Sequence, residues 1–428
     1  MNTQQEIINI YANSFTPALH VYWPVAITRG EGVYVEATDG RRYMDFSSGL
    51  AVLNIGHCHP RVVDAARGQL ERYIHSGGVY YSGTTAEAAE RLVSVTPPGL
   101  DMIFFSNSGA EAVEGSLKLA RFVTGRPGIV AFTGGFHGRT LGALSVTTST
   151  ARYRSRYQPL LPAVYHAPSP YCFRCPGGYR ADACETACFD NLLELFGRQI
   201  LPEEVAACII EPVLGEGGYA PASPIFLKKL RKLCDEHGIL LIFDEVQSGM
   251  GRTSRWFAAD HYGIVPDIMA VAKGIASGFP LSAVVSRKEI MERWPPGAHG
   301  TTFGGNPVSC AASLATIAVI EEERLLERSQ TLAESAMARL RTLAERTPAI
   351  GDVRGLGLMI GIELVNDNGL PDGDSCLKLL NFCLDRGLIL INCGAERNII
   401  RFIPPLNVGE AELDKALAIL EEGAATLS

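Results

Sequence analysis

The chain has no surplus of positive charge: 38 Lys and Arg stand against 46 Asp and Glu, for a formal net charge of −8. A nucleic-acid binder carries a basic patch or stripe, and this balance argues against one. No apolar run approaches the roughly 18 residues that a membrane helix needs. The opening residues, MNTQQEIINIYANSF, lack the basic and then apolar regions of a secretory leader. Together these absences predict a soluble, cytoplasmic protein. No Gly-Lys dipeptide occurs, which excludes a P-loop, and no Gly-x-Gly-x-x-Gly follows a strand, which argues against a nicotinamide enzyme. Eleven cysteines are an odd number, against a fully paired extracellular framework. What is present is apolar bulk: 428 residues, 47% apolar, with 44 glycines for tight turns and close backbone approaches. That length predicts two or three domains, or one large domain with a smaller companion.

The first forty or so residues read as short extended pieces, with a hairpin around Asp39-Gly40 in GVYVEATDGRRYMDF. From about Pro60 helical stretches such as RVVDAARGQLERYI and SPIFLKKLRKLCDEHG alternate with short apolar runs: MIFFSN, GIVAFTG, EVAACIIEP, GILLIFDEV and DIMAVAKG. Runs of this kind, ending in polar or glycine-rich text, fit buried parallel strands joined by right-handed crossovers. The fold class predicted is α/β, with a large, doubly wound, mostly parallel sheet over residues 56–310. A long helical segment (CAASLATIAVIEEERLLERSQTLAESAMARLRTLAERT) then leads to a small α+β portion over 311–428, with which residues 1–55 are expected to pack as a discontinuous small domain. Ligands of such sheets bind beyond the carboxyl ends of the strands, so the polar residues there matter most.

Lys273 follows the apolar run IMAVA, and Asp244 closes LLIF 29 residues earlier. One strand–helix–strand step accounts for that spacing. Lys273 alone reads first as a solvated strand end, and Asp244-Glu245 alone could cap a helix or bind a metal. Together they fit a pyridoxal phosphate site, which needs a lysine for the aldehyde, a carboxylate for the pyridine nitrogen and backbone donors for the phosphate. The donors have a candidate at Ser108-Gly109-Ala110, where FFSNSGAEAVEGSLKLAR turns from strand to helix and aims free N–H groups and a positive dipole end at one point. The alternative is an ordinary turn with Ser108 as N-cap. Phe136 and His137 lie in a glycine-rich loop after IVAFT, where an aromatic ring could cover a pyridine ring or simply fill the turn.

SGAEA, GFHGRT, EPVLGEGG, FDEVQSGMGRT, AKGIASGFPLSAV and TTFGGNP occur in this order. On these motifs the chain resembles the class III (ω-amino-acid) aminotransferases from roughly residue 20 to the end. The resemblance implies the type I aminotransferase fold and pyridoxal 5'-phosphate. Lys273 would be its Schiff-base lysine and Asp244 the pyridinium partner. Val246 would lie beneath the ring, Gln247 near the phenolic oxygen, and Phe136 on the other face. Ser108, Gly109 and Ala110 would form the phosphate loop, short of one side-chain donor because many relatives have Ser or Thr where Ala110 stands. His137 would line the cofactor with no catalytic role. Thr302 would reach the phosphate of a neighbouring subunit, which implies a homodimer with sites at the interface, or a tetramer of such dimers.

The same resemblance implies a substrate site. Arg139 would hold a distal carboxylate and Arg401 an α-carboxylate, with Glu211 as a gate that pairs with Arg401 for ω-amino substrates and releases it for glutamate. SSGLAVLNIGHCHP and IGDVRGLGLMIGIEL look closest to 4-aminobutyrate aminotransferases, with 2-oxoglutarate as acceptor and a semialdehyde and glutamate as products. Ornithine and lysine donors are alternatives. FPLSAVV, SCAASLATIAVIE and RFIPPL also resemble family members that racemise or epimerise amino acids. One segment departs from the family core: YCFRCPGGYRADACETAC spaces Cys172, Cys175, Cys184 and Cys188 as C-x2-C-x8-C-x3-C, open to a structural zinc, a disulfide or free thiols. GHCHP, with His57, Cys58 and His59, reads as a loop near a dimer interface and not as a metal site.

Overall fold

A computed structural model describes residues 3–175, 178, 184 and 186–427. Its centre is a seven-stranded sheet. In spatial order the strands are Met102–Ser106, Ser282–Ser286, Ile268–Val271, Leu240–Asp244, Val205–Ile210, Gly128–Phe132 and Val164–Ala167. The last five run parallel to one another. Ser282–Ser286 runs against both its neighbours, so Met102–Ser106 again shares the direction of the five. Six strands therefore deliver their carboxyl ends to one edge.

The apolar runs are continuous because both faces of this sheet are covered. Along each strand alternate residues enter different cores. Ile129, Ala131, Ile209, Ile242, Ala270 and Val284 pack with Ala112, Val113 and Leu117 of the helix Gly109–Thr124. Val130, Phe132, Cys208, Leu241, Phe243 and Met269 pack with Phe226, Leu227 and Leu230 of the helix Pro224–His237. The helix starts follow from local chemistry: Ser223 caps the second through the Phe226 N–H, with Pro224 at the first helical position.

Two four-stranded sheets flank the centre. One joins Ile27–Glu31, Tyr34–Ala37 and Arg42–Asp45 to Leu388–Ile389, so residues far apart in sequence share a ladder. The turn between Ala37 and Arg42 carries Asp39-Gly40, with Gly40 at φ 83°, as the hairpin signature predicts. The other contains Ile350–Leu356, Met359–Leu364, Ile399–Phe402 and Ile391–Cys393, all antiparallel. Arg252, fully buried, ties these parts together: its guanidinium donates to the Pro404 carbonyl at 2.6 Å and to Asn54 Oδ1 at 2.7 Å.

Two expectations are corrected. The N-terminus is not wholly extended: Gln4–Ser14 is a helix, started by a capping box in which Thr3 and Glu6 satisfy each other's backbone N–H groups. The Thr-x-x-Glu spacing was there to be read. The long helical segment is two helices, Pro307–Glu322 and Leu325–Glu345, because the chain turns through the left-handed region at Arg324, φ 51°.

Candidate active site

The carboxyl ends of the strands converge on a cavity of about 420 Å³. Ser108, Gly109 and Ala110 line it from the end of Met102–Ser106, and Phe136, His137 and Arg139 from the end of Gly128–Phe132. Glu211, Asp244, Val246, Gln247 and Lys273 line it from the next three strands. Eleven of the residues singled out in the sequence thus meet in one space, as the sheet-edge argument requires.

Asp244 is buried and its register partner on the neighbouring strand is Ala270, three residues before Lys273. Its Oδ1 accepts the Val246 N–H at 3.0 Å, and its Oδ2 lies 2.7 Å from His137 Nδ1. Both contacts fix the carboxylate's plane and direction. Burial alone would lower the His137 pKa, but the hydrogen bond and charge of Asp244 outweigh it and raise it. His137 therefore does more than pack a loop: it fixes the direction of the Asp244 side chain. Glu245, by contrast, turns into the core, where the Ala258 and Ala259 N–H groups donate to it.

Lys273 sits at φ 49°, the left-handed region that non-glycine residues avoid, at the mouth of a short 3-10 turn. Strain of this kind persists where packing over-determines it, often at functional sites. Burial, then the positive charge of Arg401, pushes its amine down to about 8, against the pull of Asp244, Glu211 and Glu216. A buried amine with that pKa is nucleophilic near neutral pH.

The helix Gly109–Thr124 begins at the same cavity. Ser108 is its N-cap, and Glu111 Oε2 accepts the N–H groups of both Asn107 (2.9 Å) and Ser108 (2.8 Å). Two donors are thereby used internally, which leaves the Gly109 and Ala110 N–H groups as the anion cradle at the positive end of the helix. Gly109 also has to be glycine: a Cβ there would stand 2.8 Å from Val246 Cγ1. The combination of nucleophilic amine, positioned carboxylate and helix N-terminus fits pyridoxal phosphate. Lys273 would hold its aldehyde carbon, Asp244 its ring nitrogen, Gly109 and Ala110 its phosphate. Bound there, the group serves as an electron sink for charge developed on a substrate carbon.

A second, larger cavity of about 820 Å³ opens from the first and shares Phe136, Arg139, Gln247 and Lys273 with it. Here the structure corrects the gate. Glu211 does not pair with Arg401. Its two oxygens accept the N–H groups of Phe136 (2.8 Å) and Gly215 (2.9 Å), and burial pushes its carboxyl up. Arg401 pairs instead with Glu216, five residues further along EPVLGEGG. The strand-end glutamate, followed by Pro212, is held by backbone donors; the loop glutamate, between Gly215 and Gly217, has the reach. Sequence reasoning missed Glu216, although the same motif contained it. It also missed Tyr153, whose hydroxyl donates to Glu216 Oε1 at 3.1 Å and for which no sequence signal exists.

Arg139 lies with its Cζ 3.4 Å from the Tyr153 ring centroid, and among the described residues no carboxylate pairs with it. Phe136 packs edge-on against Tyr153, with ring centroids 5.8 Å apart. Gln247 accepts the Tyr219 hydroxyl at 2.7 Å. Thr302 is exposed, outside both cavities. His57 lies 2.8 Å from Asp45 and His59 3.2 Å from Glu323, so GHCHP is pinned by hydrogen bonds.

All eleven cysteines are free thiols. Among the described residues no group of three or more His, Cys, Asp or Glu side chains is gathered to hold a metal ion. Cys172, Cys175, Cys184 and Cys188 nevertheless lie near one another: burial first, and then the neighbouring Cys184, Cys172 and Cys175, push the Cys188 thiol up to about 11. Cys184 Sγ accepts the Ala187 N–H at the start of the helix Ala187–Arg198. Residues 176–177, 179–183 and 185 of that segment lie outside the described residues. Among the described residues no helix is long and apolar enough to cross a membrane.

Comparison with known proteins agrees with the chemistry of the site. Residues 16–423 match the aminotransferase class-III family. The chain is 40% identical to a probable 4-aminobutyrate aminotransferase of Bacillus subtilis over 399 residues, 92% of each chain. It is 43% identical to an acetylornithine aminotransferase of Methanopyrus kandleri over 400 residues, 94% of each. Its fold superposes with a TM-score of 0.91 on a PLP-bound amine transaminase from an uncultivated Pseudomonas species, 30% identical, covering 97% of this chain and 98% of that one. The chain belongs to the class III, pyridoxal-phosphate-dependent aminotransferases of the type I fold, enzymes that work between an amino donor and an oxo acid.

Proposed function

We propose that the protein moves the amino group of an ω-amino acid of the 4-aminobutyrate type to 2-oxoglutarate, leaving a semialdehyde and glutamate. The observation that carries this reading is the Arg401–Glu216 pair beside an Arg139 that no described carboxylate neutralises. With Arg401 masked, Arg139 is the arginine that lines the inner cavity with Lys273, which suits a substrate that presents an amine to Lys273 and a single distal carboxylate to Arg139. With Glu216 displaced, two arginines at separated points suit a dicarboxylate. The Arg401 Nε–H is buried and has no acceptor among the described residues, a donor in reserve for an incoming carboxylate. Planar bidentate pairing explains why both anchors are arginines.

With pyridoxal phosphate bound, Lys273 would hold its aldehyde until a substrate amine takes that place, and would then serve as the base that removes and returns the proton of the substrate carbon bearing nitrogen. Asp244, steadied by His137, would keep the ring nitrogen protonated, and the cofactor would supply the electron sink. Arg152, Arg397 and Arg401 line the outer cavity with Arg139 and draw anionic substrates toward it.

The working unit in this reading is a homodimer. Thr302 is exposed beside Phe303, 63% exposed, and Tyr81 is fully exposed, which supports burial of this face by a second copy that would receive Thr302 at its phosphate. Free thiols throughout the chain fit a reducing cytoplasm.

The test is an absorption spectrum of the holoenzyme mixed with 4-aminobutyrate and no oxo acid. Conversion of the cofactor from its aldehyde to its amine form, reversed by 2-oxoglutarate, supports the reading. An unchanged spectrum with 4-aminobutyrate overturns that donor; proton exchange at the α-carbon of chiral amino acids without cofactor conversion would establish a racemase instead.

A further inference from the structure

Tyr153 touches both halves of the charge arrangement at the substrate end. Its hydroxyl donates to Glu216 Oε1 at 3.1 Å while the other oxygen of that carboxylate is on Arg401. Its ring carries the Arg139 guanidinium at 3.4 Å and meets Phe136 edge-on. The residue is itself held: it ends the 3-10 turn Ala151–Tyr153, its N–H donates to the Thr150 carbonyl, and the next residue, Arg154, donates to the Thr147 carbonyl at 3.1 Å. Burial and the nearby Glu216 charge raise the Tyr153 pKa, which keeps the hydroxyl protonated as a donor.

We propose that Tyr153 is a positioning residue that sets donor choice: its hydroxyl latches Glu216 onto Arg401, and its ring aims Arg139 at the distal carboxylate. The inference rests on the two-arginine reading of the proposed function and deepens it. The latched state is the one ω-amino donors need. An α-carboxylate must break both bonds of Glu216 to reach Arg401, so the strength of the Tyr153–Glu216 bond weighs one substrate class against the other. A hydrogen bond to a charged group is strong enough to shift such a balance several-fold. The ring acts separately, since a guanidinium stacked on an aromatic face keeps its edge free for a carboxylate.

The two contributions separate by substitution. Tyr153→Phe removes the latch and keeps the ring; Tyr153→Leu removes both. The experiment uses purified holoenzyme and two readouts. One is the dissociation constant of glutarate, an unreactive five-carbon dicarboxylate, by calorimetry. The other is the single half-reaction rate with 4-aminobutyrate, followed by the cofactor spectrum. For Tyr153→Phe the expectation is glutarate binding about fivefold tighter and a 4-aminobutyrate half-reaction about fivefold slower, opposite changes that a merely structural lesion does not produce. For Tyr153→Leu glutarate binding should fall below that of the parent protein, because Arg139 loses its platform. Unchanged glutarate binding in Tyr153→Phe, or changes of the same sign in both readouts, overturns the proposal. If the parent protein shows no half-reaction with 4-aminobutyrate, the donor assignment fails by itself, and the glutarate constants still decide the role of Tyr153.

Discussion

The two ends of the active-site cavity are built on different principles. At the cofactor end every functional group leaves the sheet within a few residues of a strand: Asp244 is the last residue of its strand, Lys273 lies two past Val271, and Ser108 two past Ser106. Asp244 is buried and its hydrogen bonds are doubled, between Val246 and His137. At the substrate end Arg139, Tyr153, Glu216 and Arg401 come from four separate segments, and Glu216 divides its oxygens between two partners. The first end is a rigid frame for chemistry that never changes. The second, in the proposed reading, is an exchangeable set of charges for two substrates that differ by a carboxylate. Groups delivered by one sheet edge tolerate no choice of partner; groups brought together from separate segments can have two.

The sharpest test of the rigid end is Lys273→Ala. It should cut turnover by about 10⁴-fold or more while circular dichroism and thermal melting stay near the parent's. Normal turnover would remove the lysine from the mechanism. Asp244→Asn should cost about 10²–10³-fold, and His137→Phe, which leaves Asp244 without its imidazole, about tenfold to 10²-fold. An effect of His137→Phe larger than that of Asp244→Asn would reverse the roles of the two residues.

The two glutamates test the comparison directly. Glu216→Gln should shift the preference between 4-aminobutyrate and glutamate by about tenfold, because a neutral amide cannot mask Arg401. Glu211→Gln should leave that ratio in place and lower stability by about 1–3 kcal/mol, because one of the Phe136 and Gly215 N–H groups then faces an amide NH2 in place of an acceptor. The opposite result, selectivity changed by Glu211 and not Glu216, would return the gate to Glu211.

Acidity gives a smaller, graded effect. Only the neutral amine of Lys273 can capture the cofactor, and burial and then Arg401 push that amine down to about 8 from 10.5. The lowered pKa means the neutral form is already half populated at pH 8. Uptake of pyridoxal phosphate by cofactor-free protein should therefore rise about tenfold per pH unit below 8 and level off above it. A rise that continues to pH 10 would show an unshifted lysine. Last, Gly109→Ala should cost about 1–3 kcal/mol of stability or a few-fold in cofactor affinity through the Val246 contact. No loss in either would show that the two segments can part freely.

Much of the rigid end was legible in the sequence. Apolar runs of strand length mark the sheet, and the residues just past each run mark the site, because the side-chain period and the shared direction of parallel strands place those residues together without further information. The substrate end was legible only as residue types. EPVLGEGG contains both glutamates, and nothing local says which one faces Arg401; the backbone donors of Phe136 and Gly215 decide it, and Phe136 is 75 residues from Glu211. His137 read as loop packing because its partner, Asp244, is 107 residues away. The helix Gln4–Ser14 was missed for a different reason: its signal, Thr3 with Glu6, is local but short, and the helix buries none of its residues to strengthen the pattern.

By itself, then, the sequence determined the layered α/β sheet, the lysine and aspartate at its edge, and the family, since each depends on patterns within a strand, a turn or a single motif. Tertiary structure alone decided which glutamate meets Arg401, that His137 steadies Asp244, and that Tyr153 stands between Arg139 and Glu216. Those are pairings between segments far apart in the chain. Their physical cause is competition for hydrogen-bond partners in a closed space, and that competition exists only once the chain has folded.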